Sequence, residues 1–266
     1  MAEDVRPEVR VERRGAVAIV TIDRPHARNA IGLGTMDELD AAFAGLAGSD
    51  AAAAVLTGAG DRAFVAGGDL RELESVRDER FGAEMALRMR AVLDRIADSP
   101  FPVIAALNGA ALGGGAEVAV ACDFRIAAAD ARIGFTQILL GVTPAWGGLE
   151  RLTQLVGRAR ALYLTTTGRV LSAPEAFSFG LVEEVVERAG FEERWLALAG
   201  QVASAPRSAL GGIKATLAAY QPASHPELAE AAAGRFARAW ADPRHWEMAA
   251  ELERRRKEAK RSEGAS

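Results

Sequence analysis

The chain is poor in cysteine and histidine, has no basic excess, and contains no uninterrupted apolar run. Each shortage excludes something. Cys122 is the single cysteine, so an intrachain disulfide framework is impossible and a reducing compartment fits. His26, His225 and His245 stand far apart without thiolates beside them, so no metal site is expected. Lys and Arg number 32 against 36 Asp and Glu, a formal net charge of −4. A nucleic-acid binder would need a basic stripe to meet phosphates, so that class is set aside. The longest candidate membrane span, residues 102–122, is broken by Asn108, Gly109, glycines 113–115 and Glu117. An ionised group and a weak helix do not sit in lipid, so no membrane segment is expected. The first twelve residues are charged early and lack the apolar core of a signal peptide, which leaves a cytoplasmic protein by elimination. Phosphate-loop, zinc-protease and serine-hydrolase motifs are missing too, and Gly32-Leu33-Gly34 lacks the third glycine of a dinucleotide loop.

What is present is the composition of a soluble globular protein, 266 residues with half of them hydrophobic and 26% charged. Residues 9–22 read as a hairpin turning at Arg14-Gly15, and Pro25 puts residues 24–30 in a loop. Thr35 with Glu38 fits a capping box ahead of Met36, Leu39, Phe43 and Leu46 at helical spacing. Residues 52–57, 63–66, 103–107 and 124–127 read as strands. Helices follow, one carrying Met85, Met89, Val92, Leu93 and Ile96 and another running from glycines 113–115 through Cys122. Strands alternating with helices predict an α/β fold. A helix around Leu149, Leu152, Leu155 and Val156 ends near Gly157, another starts at Ser172-Ala173-Pro174-Glu175, and residues 181–186 form a last strand. The chain divides into a β-rich core, residues 1–190, and an Ala-rich helical region, residues 191–266. Trp195, Leu198, Leu210, Ile213, Leu217, Phe236, Trp240 and Trp246 are the apolar anchors of that region, and residues 254–266 form a charged tail expected to fray.

Two glycine clusters, Ala66-Gly67-Gly68-Asp69 and Gly113-Gly114-Gly115, each end an apolar strand and precede a helix. A lone Gly-Gly is most often a tight turn. A strand-to-helix junction also leaves backbone N–H groups unpaired, and glycine lets a ligand approach them closely. Two such junctions from neighbouring strands can converge on one oxygen as an oxyanion hole. Glu117 follows Gly114 by three residues, on the same side of the helix, between Ala116, Val118, Ala119 and Val120. That apolar setting raises a carboxyl pKa toward the range useful for proton transfer. The alternative is a first-turn glutamate favoured by the helix dipole, paired to an arginine.

These residues resemble the crotonase superfamily, the enoyl-CoA hydratases and isomerases. The likeness spans roughly residues 17–186. It rests on Arg24-Pro25 with Asn29-Ala30, on Ala63-Phe64-Val65-Ala66-Gly67-Gly68-Asp69-Leu70, and on Pro102-Val103-Ile104-Ala105-Ala106-Leu107-Asn108-Gly109. It rests also on Ala111-Leu112-Gly113-Gly114-Gly115-Ala116-Glu117, and on Leu139-Leu140-Gly141 with Pro144 and Gly147-Gly148. The resemblance implies a crotonase-like spiral of ββα turns, a helical C-terminal region used to form a homotrimer or dimer of trimers, and an acyl-CoA thioester substrate. Coenzyme A would then be part of the substrate, with no separate cofactor. It implies an oxyanion hole at the amides of Gly68 and Gly114. It also implies CoA-ester contacts from Arg28, Ala30, Ala66, Gly67, Asp69, Leu70, Gly113 and Trp146.

The sequence departs from the family at one place. Hydratases of the family use two glutamates; Glu117 matches the first, and Gln137 stands at the second. An amide orients water but does not exchange a proton at ordinary pH. Local likeness around Trp146-Gly147-Gly148 points to the ethylmalonyl-CoA decarboxylase branch, whose chemistry needs an oxyanion hole and one proton donor. Three readings result. One is a hydratase or isomerase with Glu117 as acid/base, Gly68 and Gly114 as oxyanion donors and Gln137 in support. The second is a decarboxylase of a 2-carboxyacyl-CoA of ethylmalonyl or methylmalonyl type. The third is a catalytically silent acyl-CoA-binding subunit.

Overall fold

Every side chain of Val17–Ile22, Ala53–Gly58 and Val103–Leu107 is buried, the mark of strands covered on both faces. A computed structural model of the protein describes residues 7–219 and 226–263. The chain opens with a hairpin, β1 (Val9–Arg14) and β2 (Val17–Ile22), in antiparallel register from Val9 opposite Ile22 to Arg14 opposite Val17. Helix α1 (Leu33–Ala47) buries Met36, Leu39, Phe43 and Leu46.

A repeating unit then appears. β3 (Ala53–Gly58) and β4 (Ala63–Val65) lead through α2 (Leu70–Leu73) into α3 (Glu79–Ala97). β5 (Val103–Leu107) and β6 (Ala110–Leu112) lead into α4 (Gly114–Ala121), and β7 (Phe124–Ala128) and β8 (Arg132–Gly134) into α5 (Gly148–Thr167). In each unit the first strand enters a six-stranded sheet and the second a four-stranded sheet. β9 (Val170–Ser172), α6 (Ala173–Ser178) and β10 (Glu184–Val186) complete both, giving the orders β1-β2-β3-β5-β7-β10 and β4-β6-β8-β9. The chain thus advances as a spiral of ββα turns. Helices α7 (Phe191–Ala203), α8 (Arg207–Ala219), α9 (Pro226–Ala241) and α10 (Pro243–Glu263) follow.

Several expectations are corrected. Thr35 does not start α1. Gly32 is the N-cap, and Thr35, one turn in, accepts the Gly32 N–H at 3.1 Å. Glu38 instead accepts the Val9 N–H at 2.8 Å and so fastens α1 to β1. The break at Gly157 is present, with φ 77° and ψ 159°, but helix resumes at once and runs to Thr167. The last strand starts at Glu184 rather than at 181. The charged tail is helical as far as Glu263. Ile213 and Leu217 are 60% and 61% exposed, so they anchor nothing within the chain. Trp195, Phe236, Trp240 and Trp246 are buried, and α9 lies along α3. The expected His225 lies outside the described residues. Among the described residues no helix is long and apolar enough to cross a membrane, and no group of three His, Cys, Asp or Glu is placed to hold a metal.

Candidate active site

The short strands β4 and β6 lie side by side in the second sheet, so the two glycine junctions that follow them are neighbours. A Cβ on Gly67 would stand 3.2 Å from the Leu112 carbonyl oxygen and 3.5 Å from the Gly114 nitrogen. Gly67 (φ 103°) and Gly113 (φ 56°) both hold the left-handed backbone that only glycine adopts cheaply. Gly68 bridges Ile31 in parallel, but the bonds use its neighbours: Ile31 N–H donates to Gly67 O and Asp69 N–H to Ile31 O, each at 2.8 Å. The Gly68 N–H is left out of that ladder. Gly114 is the first residue of α4, so its N–H has no carbonyl a turn behind it in the helix. Two backbone donors from adjacent turns are therefore free of secondary structure at one place.

Glu117 sits one turn into α4 and is 2% exposed. Among the described residues no arginine pairs with it, and its partners are neutral N–H groups. Its Oε2 accepts the backbone N–H groups of Trp146 at 2.8 Å and Gly148 at 2.9 Å, and its Oε1 accepts Nε2 of Gln137 at 2.9 Å. These donors favour the carboxylate, but burial outweighs them and raises the Glu117 pKa to about 7. Gln137 is itself buried, in the 3₁₀ segment Thr136–Leu140, and its own Oε1 is buried without a hydrogen-bond partner. Trp146 covers the glycines. The ideal Cβ position of Gly114 falls 2.1 Å from Cζ3 of the indole, and that of Gly68 falls 3.8 Å from Cη2 and Cζ2.

The expected CoA loop is held rigidly. Arg28 and Asn29 both take positive φ, at 55° and 57°, conformations that persist in non-glycine residues only where the surroundings impose them. Here Asn29 Oδ1 accepts Arg24 N–H at 3.0 Å, while its Nδ2 donates to the carbonyls of Ala59 at 3.0 Å and Ala63 at 2.8 Å. The Arg24 guanidinium donates to Ala30 O and pairs with Asp69 at 2.9 Å, while Ala66 N–H donates to Arg28 O at 3.2 Å. Asp69 also caps α2 through Arg71 N–H. Its carboxylate is thus occupied in bracing segment 66–70 against loop 28–30.

Arg28, Ala30, Ala66, Gly67, Gly68, Asp69, Leu70, Gly113, Gly114, Glu117, Gln137 and Trp146 all line one cavity of about 1610 Å³. Sequence reasoning missed the opposite wall. Phe236, Trp240, His245 and Trp246, from α9 and α10, line the same cavity. Their buried aromatic character was legible, but nothing local in the sequence aims them at a site 100 residues earlier in the chain.

The spiral of ββα turns over two sheets defines a fold of crotonase type. The enoyl-CoA hydratase/isomerase family model matches residues 12–257. The short-chain-enoyl-CoA hydratase of Clostridium acetobutylicum is 42% identical over 183 residues, 66% of this chain and 68% of that protein. The crotonyl-CoA hydratase of Syntrophomonas wolfei is 40% identical over 183 residues, with the same two coverages. The crystal structure of an enoyl-CoA hydratase from Bacillus anthracis superposes with a TM-score of 0.77 at 36% identity, covering 79% of this chain and 82% of that one. The chain belongs to the enoyl-CoA hydratase/isomerase family of the crotonase superfamily, as an acyl-CoA enzyme.

Proposed function

We propose that the protein hydrates a 2-enoyl-CoA with a single carboxyl group. The observation that carries this reading is the Glu117–Gln137 pair. Oε2 of Glu117 is saturated by two backbone donors, so the proton must come and go at Oε1, where Gln137 holds one lone pair and leaves the other open. The unpartnered Oε1 of Gln137 is an acceptor for the second hydrogen of a water held against Glu117. Glu117 takes one water proton as the oxygen attacks C3. The C2–C3 π pair moves into the thioester, and the enolate oxygen is held by the amides of Gly68 and Gly114. The proton on Oε1 then passes to C2, and the carboxylate returns. Gln137 transfers no proton. Arg28, Ala30, Ala66, Gly67, Leu70 and Gly113 would hold the CoA ester along the braced loop.

Crotonyl-CoA offered in ¹⁸O-labelled water tests the reading: the product should gain one labelled water. A second reading, decarboxylation of a 2-carboxyacyl-CoA, draws on Trp146 over the glycines and on a lone carboxyl with a pKa of about 7 as proton donor. Ethylmalonyl-CoA losing carbon dioxide, with crotonyl-CoA untouched, would replace the first reading by this one. Binding of both esters without turnover would leave the silent acyl-CoA binder.

The assembly proposed with this function is a homotrimer or dimer of trimers. Trp240 and Trp246 give no support, being covered within the chain. The support comes from exposed Leu162, Tyr163 and Phe177 and from Ile213 and Leu217 on α8, apolar side chains that the described chain leaves uncovered. Light scattering giving a monomer at micromolar concentration would overturn it.

A further inference from the structure

His245 has no part in the chemistry above, yet it is 2% exposed and lines the same cavity as Glu117 and Gln137. Its Nδ1 lies 2.6 Å from the Leu140 carbonyl oxygen. A carbonyl only accepts, so Nδ1 carries the proton and the neutral ring leaves Nε2 as a bare acceptor. Burial lowers the His245 pKa, which favours that neutral form. Nε2 is buried without a hydrogen-bond partner, a condition that native interiors rarely tolerate unless a missing partner supplies the bond.

The surroundings narrow that partner. The imidazole is packed against Trp240, at 5.2 Å between ring centroids, and against Trp246, at 4.5 Å. Both indole N–H groups are already engaged: Trp240 Nε1 donates to Val76 O and Trp246 Nε1 to Trp240 O. Neither is available to Nε2. The Arg77 guanidinium, 4.3 Å over the Trp246 ring, donates through Nε and Nη2 to Glu74, so the groups packed around the imidazole leave Nε2 without a donor. His245 is seated on Leu140, one 3₁₀ turn beyond Gln137, an advance of about 6 Å. An acyl chain whose reacting carbons lie at Glu117 and Gln137 would bring its far end, several bonds along, toward His245.

We propose that His245 is a specificity-determining residue that selects an acyl group bearing a hydroxyl at its distal end, the hydroxyl donating to Nε2. The inference rests on the acyl-CoA reading of the site and deepens it by naming the substrate class. A site built to bond a hydroxyl discriminates against the analogue lacking it, because the buried acceptor is then left unpaired. The expected preference is roughly 10- to 100-fold, the worth of satisfying one buried acceptor.

The test compares 6-hydroxy-2-hexenoyl-CoA with 2-hexenoyl-CoA, and 4-hydroxycinnamoyl-CoA with cinnamoyl-CoA, as kcat/KM on the parent protein and on His245→Phe. The parent should favour the hydroxylated member of at least one pair. His245→Phe keeps a ring between the two indoles but removes the acceptor, so its preference should fall to near unity. A parent that treats both members of each pair alike overturns the proposal and leaves a buried water as the partner of Nε2. A preference that survives in His245→Phe also overturns it. The parent measurement stands whether or not the variant folds. Calorimetric binding of 6-hydroxyhexanoyl-CoA against hexanoyl-CoA, neither of which can be hydrated, separates the two claims. A binding preference without any turnover would sink the hydration reading and keep this one, while equal binding with normal hydration would do the reverse.

Discussion

The two ends of α4 carry buried ionisable groups in opposite circumstances. At its N-terminal end Glu117 is held by three neutral N–H donors, with no cation beside it, and its pKa rises to about 7. Just past its C-terminal end Arg125 is equally buried, but each of its three guanidinium nitrogens meets an acceptor. Nε meets Leu181 O at 2.8 Å, Nη1 meets Cys122 O at 3.0 Å, and Nη2 meets the Glu183 carboxylate at 2.6 Å. The Cys122 carbonyl is a terminal group of the helix, so Arg125 caps α4 with a cation where the dipole favours one. The same burial therefore has two meanings. A charge that is fully answered clamps the fold, and a charge that burial itself disfavours is poised to exchange a proton.

The largest effect expected from disturbing this contrast is on turnover. Glu117→Gln fits the site, because its carbonyl can take the two backbone donors and Gln137 can rotate its amide to accept the new NH₂. Acid–base capacity is lost, so turnover should drop by about 10²–10⁴-fold with CoA-ester binding little changed. An unaltered rate in steady-state assays would reduce Glu117 to a structural role. Arg125→Met should do the opposite, leaving chemistry intact at low temperature and weakening the fold. The carbonyls of Cys122 and Leu181 would lose their partner, at a cost of about 2–4 kcal/mol. That corresponds to a fall in Tm of roughly 5–10 °C for a chain of this size, measurable by calorimetry.

A change of sign in stability sharpens the comparison further. The Glu117 pKa is raised from 4.5 to about 7 on folding, so the folded state keeps a proton that the unfolded chain has released. The resulting penalty is absent below pH 4.5, grows through pH 7 and is complete above it, at about 2.5 pKa units or ~3 kcal/mol. Glu117→Gln has no such penalty. Denaturant titrations should show the variant gaining stability over the parent between pH 5 and pH 8, by up to that amount. A constant difference across the range would mean that the carboxyl is not destabilised by burial.

How much of this contrast could be read from the sequence depended on how local its causes are. Glu117 was legible because glycines 113–115 and the apolar residues around it are neighbours in the chain, and helical geometry alone sets their relation. The ββα spiral was half legible. The long, wholly buried strands β2, β3 and β5 announce themselves by composition. β6, β8 and β9 have three residues each, too few for a period-2 signal, and they exist because the second sheet pairs them. Gln137 was identified by its place in a motif, but its bond to Glu117 joins residues 20 positions apart through two different elements. His245 was visible only as an isolated histidine. Its use depends on α10 reaching back to Leu140, 105 residues away, and no pattern within α10 encodes that contact.

The last expectation concerns the sign of the pH dependence, which separates the readings of the N-terminal end of α4 without any substitution. Hydration as proposed starts from ionised Glu117, since the carboxylate must take a proton from water. Its kcat/KM should therefore rise about tenfold per pH unit from pH 5 and level off near pH 7, the value to which burial lifts the group. Decarboxylation starts from the protonated acid, because the enolate left by carbon dioxide needs a proton at carbon. Its kcat/KM should be flat at low pH and fall tenfold per unit above about 7. Burial lowers the His245 pKa below its ordinary value, away from pH 7, so a limb near pH 7 is assigned to Glu117. Solvent-exposed carboxylates would give a limb two to three units lower. A rising limb centred near pH 4 would mean that water reaches Glu117 freely in the working enzyme, and the distinction between the poised and the clamped end of α4 would collapse.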